Sequence, residues 1–346
     1  MIDKKLKDLG IAAATGASLS AYSINAKDVD GAFREELNKM IGSKSLFRKN
    51  KYDAYELIEE VADIVVPSRV IEVLGDFTNV KTFDHNQKAV FKRKLGRNRA
   101  KSVFVTKAAR AGVYETFRLD TEEFEVPVSV HGGAARISLQ EILTGEINMA
   151  EMMDIITEGL VDATYAEVQA ALMTSYTSTK RPTNTKFSGS AYDHQQFVNL
   201  INVVSAYGAP VVFTTKTFAS YMRPVYGSVS TYMPNVSNAE IEELRKTGML
   251  QIVHGAPVIA LPQSYTDETN ATTVINPRLA YIFPSDSQKV VNLAFEGGTH
   301  VSDYTNVDDS MEIKAHRKLG VAIINHNNWA ICENKAIVDT SFAVLG

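Results

Sequence analysis

The chain has 346 residues, with 36 Lys and Arg against 40 Asp and Glu, 45% hydrophobic and 22% charged residues. These are ordinary globular values, and they exclude a disordered tail protein, a collagen and a basic chromatin protein. The length leaves room for two domains and a sizeable core. Cys332 is the only cysteine, so an intramolecular disulfide, a CxxC pair and a thiolate zinc cluster are all ruled out, which points to a reducing compartment. Lys4, Lys5 and Lys7 precede an Ala-rich stretch. Asp3 and Asp8 dilute that basic start, however, and Ile11 to Ser20 holds no apolar run, so a signal peptide is set aside. No stretch approaches the ~20 consecutive apolar residues of a membrane span.

In chain order, residues 1–50 read as a polar arm with one helical piece, Asp28 to Ile41, followed by the flexible Gly42-Ser43-Lys44-Ser45. The arm has too few large apolar residues for a core of its own and is expected to be disordered in the free subunit. Tyr52 to Val66 carries Tyr55, Leu57, Ile58, Val61, Ala62 and Val65 at helical spacing and should stop at Pro67. Residues 88–118 hold short apolar triplets in basic sequence, with ten Lys and Arg against Glu115 alone. Charge of that density cannot enter a core, so an extended two-stranded excursion is predicted, lying on water or on an acidic partner. Phe124, Val126, Val128 and Val130 then alternate with polar residues as in a half-buried strand, with Pro127 marking an edge.

The longest predicted helix runs from Asn148, its cap, to about Thr174, with Glu151 in the capping-box position. At 100° per residue, Glu151, Asp154, Glu158 and Asp162 share one face, while Met149, Met153, Ile156 and Leu160 fall opposite. No Lys or Arg lies between Glu146 and Thr174, so the acidic stripe has no intrahelical partners. A Ser/Thr/Lys connector, Ser175 to Ser190, leads into an α/β region. There Asp193 opens a helix to Ala206, and Ser237 with Glu240 forms a second capping box whose helix Gly248 ends. Strands are predicted at Val211 to Phe213, Leu250 to Val253, Val258 to Leu261, Leu279 to Phe283 and Val290 to Phe295. The chain closes with Met311 to His316, a turn at Arg317-Lys318, Val321 to Ile324, and Trp329 to Cys332.

Catalytic chemistry finds little support. GxxxxGK[ST], GxGxxG, HExxH and GxSxG are absent, and Gly132-Gly133 lacks a following helix to aim amides at a phosphate. His300 and Asp303 are more simply a solvated loop than a metal site, and Cys332 beside Glu333 has no basic neighbour to activate it. No catalytic residue, cofactor or metal ligand is assigned. What stands out is a pair of unpartnered surfaces in one chain. A ribbon of ~15 residues per arm reaches ~50 Å, beyond its own subunit, so the basic excursion of one copy can meet the acidic helix of the next in a ring or shell.

The order of elements, the Gly132-Gly133 segment before the long helix, and the ending Glu312-Ile313-Lys314-Ala315-His316-Arg317-Lys318-Leu319-Gly320-Val321-Ala322-Ile323 resemble tailed-bacteriophage major capsid proteins of the Hong Kong 97-like fold. The resemblance spans nearly the whole chain and implies an α+β architecture. It implies an N-terminal arm over 1–50, an extended E-loop over 88–118, and a P-domain from 51–87, 119–179 and 306–346 with its spine helix at about 148–174. The A-domain would span 180–305. It further implies hexamers and pentamers in an icosahedral head around double-stranded DNA held without sequence specificity, in a virion assembled in the host cytoplasm. Portal and decoration proteins are implied partners, and with only 87 residues before the basic loop the scaffolding protein is expected to be separate. Some members cross-link an E-loop lysine to a neighbour's asparagine; Lys92, Lys94, Lys101, Asn325, Asn327 and Asn328 are present as residue types, but no cross-link is expected. Contacts between subunits are assigned to Lys92, Arg93, Lys94, Arg97, Arg99 and Lys101 on the loop and to Glu151, Asp154, Glu158 and Asp162 on the helix. Two other readings stay open: an encapsulin-like cellular compartment, and a nucleic-acid-binding protein using the basic arm directly.

Overall fold

The computed structural model describes residues 4–19, 22, 24–41, 44–94, 121–138, 149–222, 242, 246–265, 267–285, 289–305, 310–324 and 326–340. Three helices come first: α1 (Lys4–Thr15), α2 (Ala26–Ile41) and α3 (Lys44–Leu74). Strands β1 (Thr78–Phe83), β2 (Val90–Lys94), β3 (Thr121–Glu125) and β4 (Ser129–Ser138) lead to the long helix α4 (Met149–Thr177). Beyond it lie β5 (Lys186–Gly189), α5 (His194–Ser205), β6 (Pro210–Thr214), α6 (Lys216–Tyr221), β7 (Ile252–Val253), β8 (Ala256–Ala260) and β9 (Leu279–Pro284). The chain finishes with β10 (Val291–Thr305), β11 (Ser310–Ile323) and β12 (Ala330–Asn334). They form a four-stranded sheet, β1-β10-β11-β4, a six-stranded mixed sheet, β5-β12-β9-β6-β8-β7, and the separate ribbon β2-β3.

The described residues among the first 50 are not a free arm. They lack a core of their own, as their composition requires, but they borrow one: Leu6, Leu9, Val29, Phe33, Leu37 and Ile41 are buried against Leu57, Ile58, Val61 and Val65 of α3. Helix α3 also runs through Pro67 instead of ending there. The proline removes one N–H from the helix ladder, but Val66, Val70 and Leu74 are buried on either side of it. Each side chain of that size stabilises by about 1.5–3 kcal/mol when fully buried, enough to outweigh the missing bond.

At the C-terminal end the expected turn at Arg317-Lys318 does not exist. Strand β11 continues through both residues, paired to β10 on one side and β4 on the other. Arg317 is tolerated inside the strand because its guanidinium lies 4.4 Å over the Phe295 ring and faces Asp63 of α3. Strand β10 outruns its expected end at Phe295 through a register shift between Glu296 and His300. Gly297, at φ +68°, supplies the left-handed step there.

Sheet membership also departs from the expected domain limits. β10 belongs to the four-stranded sheet, and β12 pairs with β5 and β9 in the six-stranded one. The expected single strand around Phe124 to Val130 is split. Phe124 pairs with Phe91 in the ribbon, whereas Val130 stands in the β4 ladder opposite Lys318 and is exposed. The two sheets meet at a seam where Phe77, Phe213, Phe283, Phe295 and Trp329 are buried together with Tyr165 and Leu172 of α4. The expected caps Asn148 and Ser237/Glu240 lie outside the described residues.

Candidate assembly surfaces

The basic excursion begins on β2, and the return strand answers it. Lys88 Nζ lies 2.9 Å from Glu125 Oε2, Lys92 Nζ lies 2.9 Å from Glu123 Oε1, and Arg93 is in register with Glu122. Lys88 and Lys92 at the base of the ribbon are therefore paired within the subunit. Both pairs are largely exposed, and such pairs contribute about 0–1 kcal/mol each. Lys94 ends β2 in register with Thr121, while Arg97, Arg99 and Lys101 lie outside the described residues.

The acidic face of α4 is not uniformly open either. Its buried side presents Met153, Thr157, Leu160, Val161, Thr164, Tyr165, Val168 and Leu172, and the Thr157 and Thr164 hydroxyls donate to the carbonyls of Met153 and Leu160, 2.8 Å away. Glu151 sits in the first turn. Asp154 is partly buried, and that burial raises its carboxyl above the usual range, as do Asp30 of α2 and Glu158; Arg69 and Arg34 oppose the shift. Asp162 is likewise raised by burial and by Glu158, while the Ser264 hydroxyl donates to it at 3.1 Å and lowers it. Glu158 alone of these three is exposed.

A raised folded-state pKa means that the folded chain holds its proton more tightly than the unfolded one. Asp154 therefore subtracts from stability at neutral pH, and the deficit shrinks as pH falls through its folded pKa. Asp154→Asn is expected to raise the melting temperature at pH 7 by a few degrees, with the advantage closing toward acid pH. Calorimetry at pH 7 and pH 4 checks this, and a variant that melts lower than wild type at pH 7 overturns it.

Sequence reasoning missed the acids that bind helix to sheet. Glu59 and Asp63, one turn apart on α3, accept the backbone N–H groups of Val301 and Thr299 at 2.6 Å each. Gly298 makes room for this: a Cβ there would lie 2.6 Å from Asp63 Oδ2. His300 Nδ1 lies 3.2 Å from Glu59, and Asp303 pairs with Lys51 at 3.0 Å, so the two residues weighed together from sequence stand on strand β10 and not in a loop, each with its own ion partner. An acid pair at i,i+4 was visible in the sequence, but its targets, 236 and 242 residues away, were not. Cys332 is buried in the six-stranded sheet, and burial pushes its thiol up to about 12, which suits packing and not nucleophilic attack. Among the described residues no three His, Cys, Asp or Glu side chains could hold a metal ion, and no described helix is long and apolar enough to cross a membrane.

A long helix packed on a four-stranded sheet, with a separate charged ribbon and a second mixed sheet, is the architecture of a Hong Kong 97-like capsid subunit. The capsid protein of cyanophage P-SCSP1u superposes with a TM-score of 0.50 at 9% identity, over 76% of this chain and 88% of that one. The mature capsid protein of bacteriophage PhiM1 gives 0.49 at 10% identity over 76% and 87%, and the virus-like particle of Pyrococcus furiosus 0.46 at 12% over 81% and 99%. No curated protein matches the chain. The sequence profile of the family described as "SPbeta prophage-derived putative capsid protein YonB" matches residues 5–333. The chain belongs to that family of capsid proteins.

Proposed function

We propose that this chain is the major shell-forming subunit of an icosahedral phage-type head. It would assemble into hexamers and pentamers around double-stranded DNA, with a separate scaffolding protein and a portal as assembly partners, in the host cytoplasm. The family match over residues 5–333 carries this reading. In it the β2-β3 ribbon is the base of the E-loop, α4 the spine helix, the four-stranded sheet the P-domain and the six-stranded sheet the A-domain. The chain acts as a building block and has no enzymatic role. The basic loop of one subunit, Lys92, Arg93, Lys94, Arg97, Arg99 and Lys101, lies across the face Glu151, Asp154, Glu158, Asp162 of a neighbour's helix.

Expression with the neighbouring genes, followed by light scattering and negative-stain microscopy, tests the assembly. A monodisperse 38.0 kDa species at high concentration, scaffold supplied, overturns it. The charge pairing is tested at Glu158, since Asp162 is held by Ser264 and reversing it would disturb the subunit itself. Glu158→Lys should leave the subunit folded and cut shell yield several-fold at physiological salt, where the Debye length is ~8 Å. Arg97→Glu with Arg99→Glu in the same chain should restore part of it. Normal assembly of the single variant in low salt, or no recovery in the combined one, means that the pairing is misassigned.

A further inference from the structure

Between the middle turns of α3 and the distal half of β10 lies an open pocket of about 410 Å³ whose lining includes Tyr52, Tyr55, Glu56, Glu59, His300 and Asp303. We propose that it is a socket for a basic side chain, arginine or lysine, of a second copy of this chain. The inference rests on the shell-forming function proposed above.

The charge of the pocket comes first. Glu56, Glu59 and Asp303 bring three carboxylates, and the cation paired with them is Lys51, 3.0 Å from Asp303. Counted over these four groups the pocket has two negative charges in excess, which disfavours an anion or an acidic peptide as occupant. Glu59 and Asp303 are held in place by the Val301 N–H and by Lys51. Glu56 is exposed and has no ion partner among the described residues, so its charge is available to an incoming group.

A second, independent observation points the same way. Tyr55 is only 4% exposed, yet its hydroxyl has no hydrogen-bond partner. Buried hydroxyls in folded proteins are nearly always paired, and an orphan on a pocket wall marks a missing partner. Burial and the nearby Asp303 push this phenol well above its usual range, so it is a neutral group that can both donate and accept.

The occupant is not a bare metal ion, since no three His, Cys, Asp or Glu among the described residues are placed to hold one. It must be an organic cation that brings its own N–H donors and an aliphatic or planar body. Tyr52, 69% exposed, supplies a ring for that body, with Lys51 Nζ 4.8 Å from the ring centroid on one side. A guanidinium or ammonium head can donate to Glu56 and to Tyr55 Oη and also offsets the excess negative charge, which a neutral amide does not. In a closed shell each subunit is bordered by copies of itself, and the chain carries 36 Lys and Arg from which such a side chain can come.

The test uses full-length subunits in which the exposed Tyr52 is replaced by photoreactive benzoylphenylalanine, co-assembled from ¹⁴N- and ¹⁵N-labelled copies, irradiated, digested and read by mass spectrometry. The expected product is a mixed-isotope cross-link to a peptide centred on Lys or Arg. Glu56→Lys should lower its yield by up to about fivefold, as the loss of one exposed pair implies, with circular dichroism and melting unchanged. Glu56→Gln, which removes the charge without reversing it, should give an intermediate yield. Cross-links confined to one chain, captured peptides without a basic residue, or indifference to both Glu56 variants overturn the socket. Particles that form without an intermolecular cross-link sink the socket alone, whereas the absence of particles by light scattering sinks the assembly reading and the socket with it.

Discussion

Trp329→Ala is expected to destabilise the subunit by about 5–7 kcal/mol, enough to abolish soluble accumulation at 37 °C for a protein of ordinary marginal stability. Trp329 is fully buried at the seam between the two sheets, its ring centroid 5.3 Å from that of Phe283. Truncating a buried Trp to Ala alone costs about 3–5 kcal/mol. The second part of the loss is electrostatic. The Arg181 guanidinium lies 3.8 Å over the Trp329 ring and is itself only 4% exposed. It donates to the carbonyls of Ser175, Thr185 and Trp329 at 3.1–3.3 Å, with no carboxylate among these partners. Burial accordingly pulls its pKa down to about 10. The indole face is what that buried charge has in place of a counter-ion, and a desolvated cation–π contact contributes about 2 kcal/mol. Trp329→Phe keeps a ring in place and should lose roughly half as much. Urea unfolding followed by circular dichroism checks the series, and a loss under about 2 kcal/mol for Trp329→Ala would show that the seam repacks around Arg181.

Local signals were legible in the sequence where the structure they specify is local. The long helix was expected at about 148–174 and runs Met149–Thr177. Asp193 was expected to open a helix, and its carboxylate accepts the Gln196 N–H at 3.1 Å. Strands β6, β8 and β9 lie within two residues of their expected limits, because their apolar runs face a core on both sides. Element order also sufficed for the capsid fold.

The misreadings share one cause: a distant partner changes the meaning of a local pattern. Helix α1 offers only small apolar residues besides Leu6, Leu9 and Ile11, and it is held by α3, which begins 29 residues beyond its end. Arg317-Lys318 reads as a basic turn until Asp63, from the other end of the chain, makes a buried arginine tolerable. The count of unbalanced charge over 88–118 stopped just short of Glu122, Glu123 and Glu125, the residues that face it across the ribbon. Asp162 stood on a stripe that looked free because Ser264, 102 residues later, could not be placed beside it.

The pair Gly132-Gly133 separates these two kinds of information at adjacent positions, and it yields the second large effect. Both residues lie on β4, in register with His316 and Ala315 of β11. A Cβ at Gly132 would stand 2.4 Å from the Ala315 carbonyl oxygen and 2.7 Å from the His316 Cα, both backbone atoms that cannot swing aside. A Cβ at Gly133 would meet nothing within 4 Å. Gly132→Val must therefore push β4 off β11 or break their ladder. The expected loss is about 3 kcal/mol or more, at the upper end of overpacking effects, with rapid hydrogen exchange along Ser129–Ser138. Gly133→Val fills open space on an extended backbone and exchanges the most flexible residue for a β-former, so it should be neutral or stabilising by up to about 1 kcal/mol. Denaturant unfolding of the two single variants, with amide exchange read on β4, decides the matter. Equal tolerance at both positions would mean that β4 does not lie against β11 as closely as described, and the shape of the four-stranded sheet would have to be redrawn at that edge.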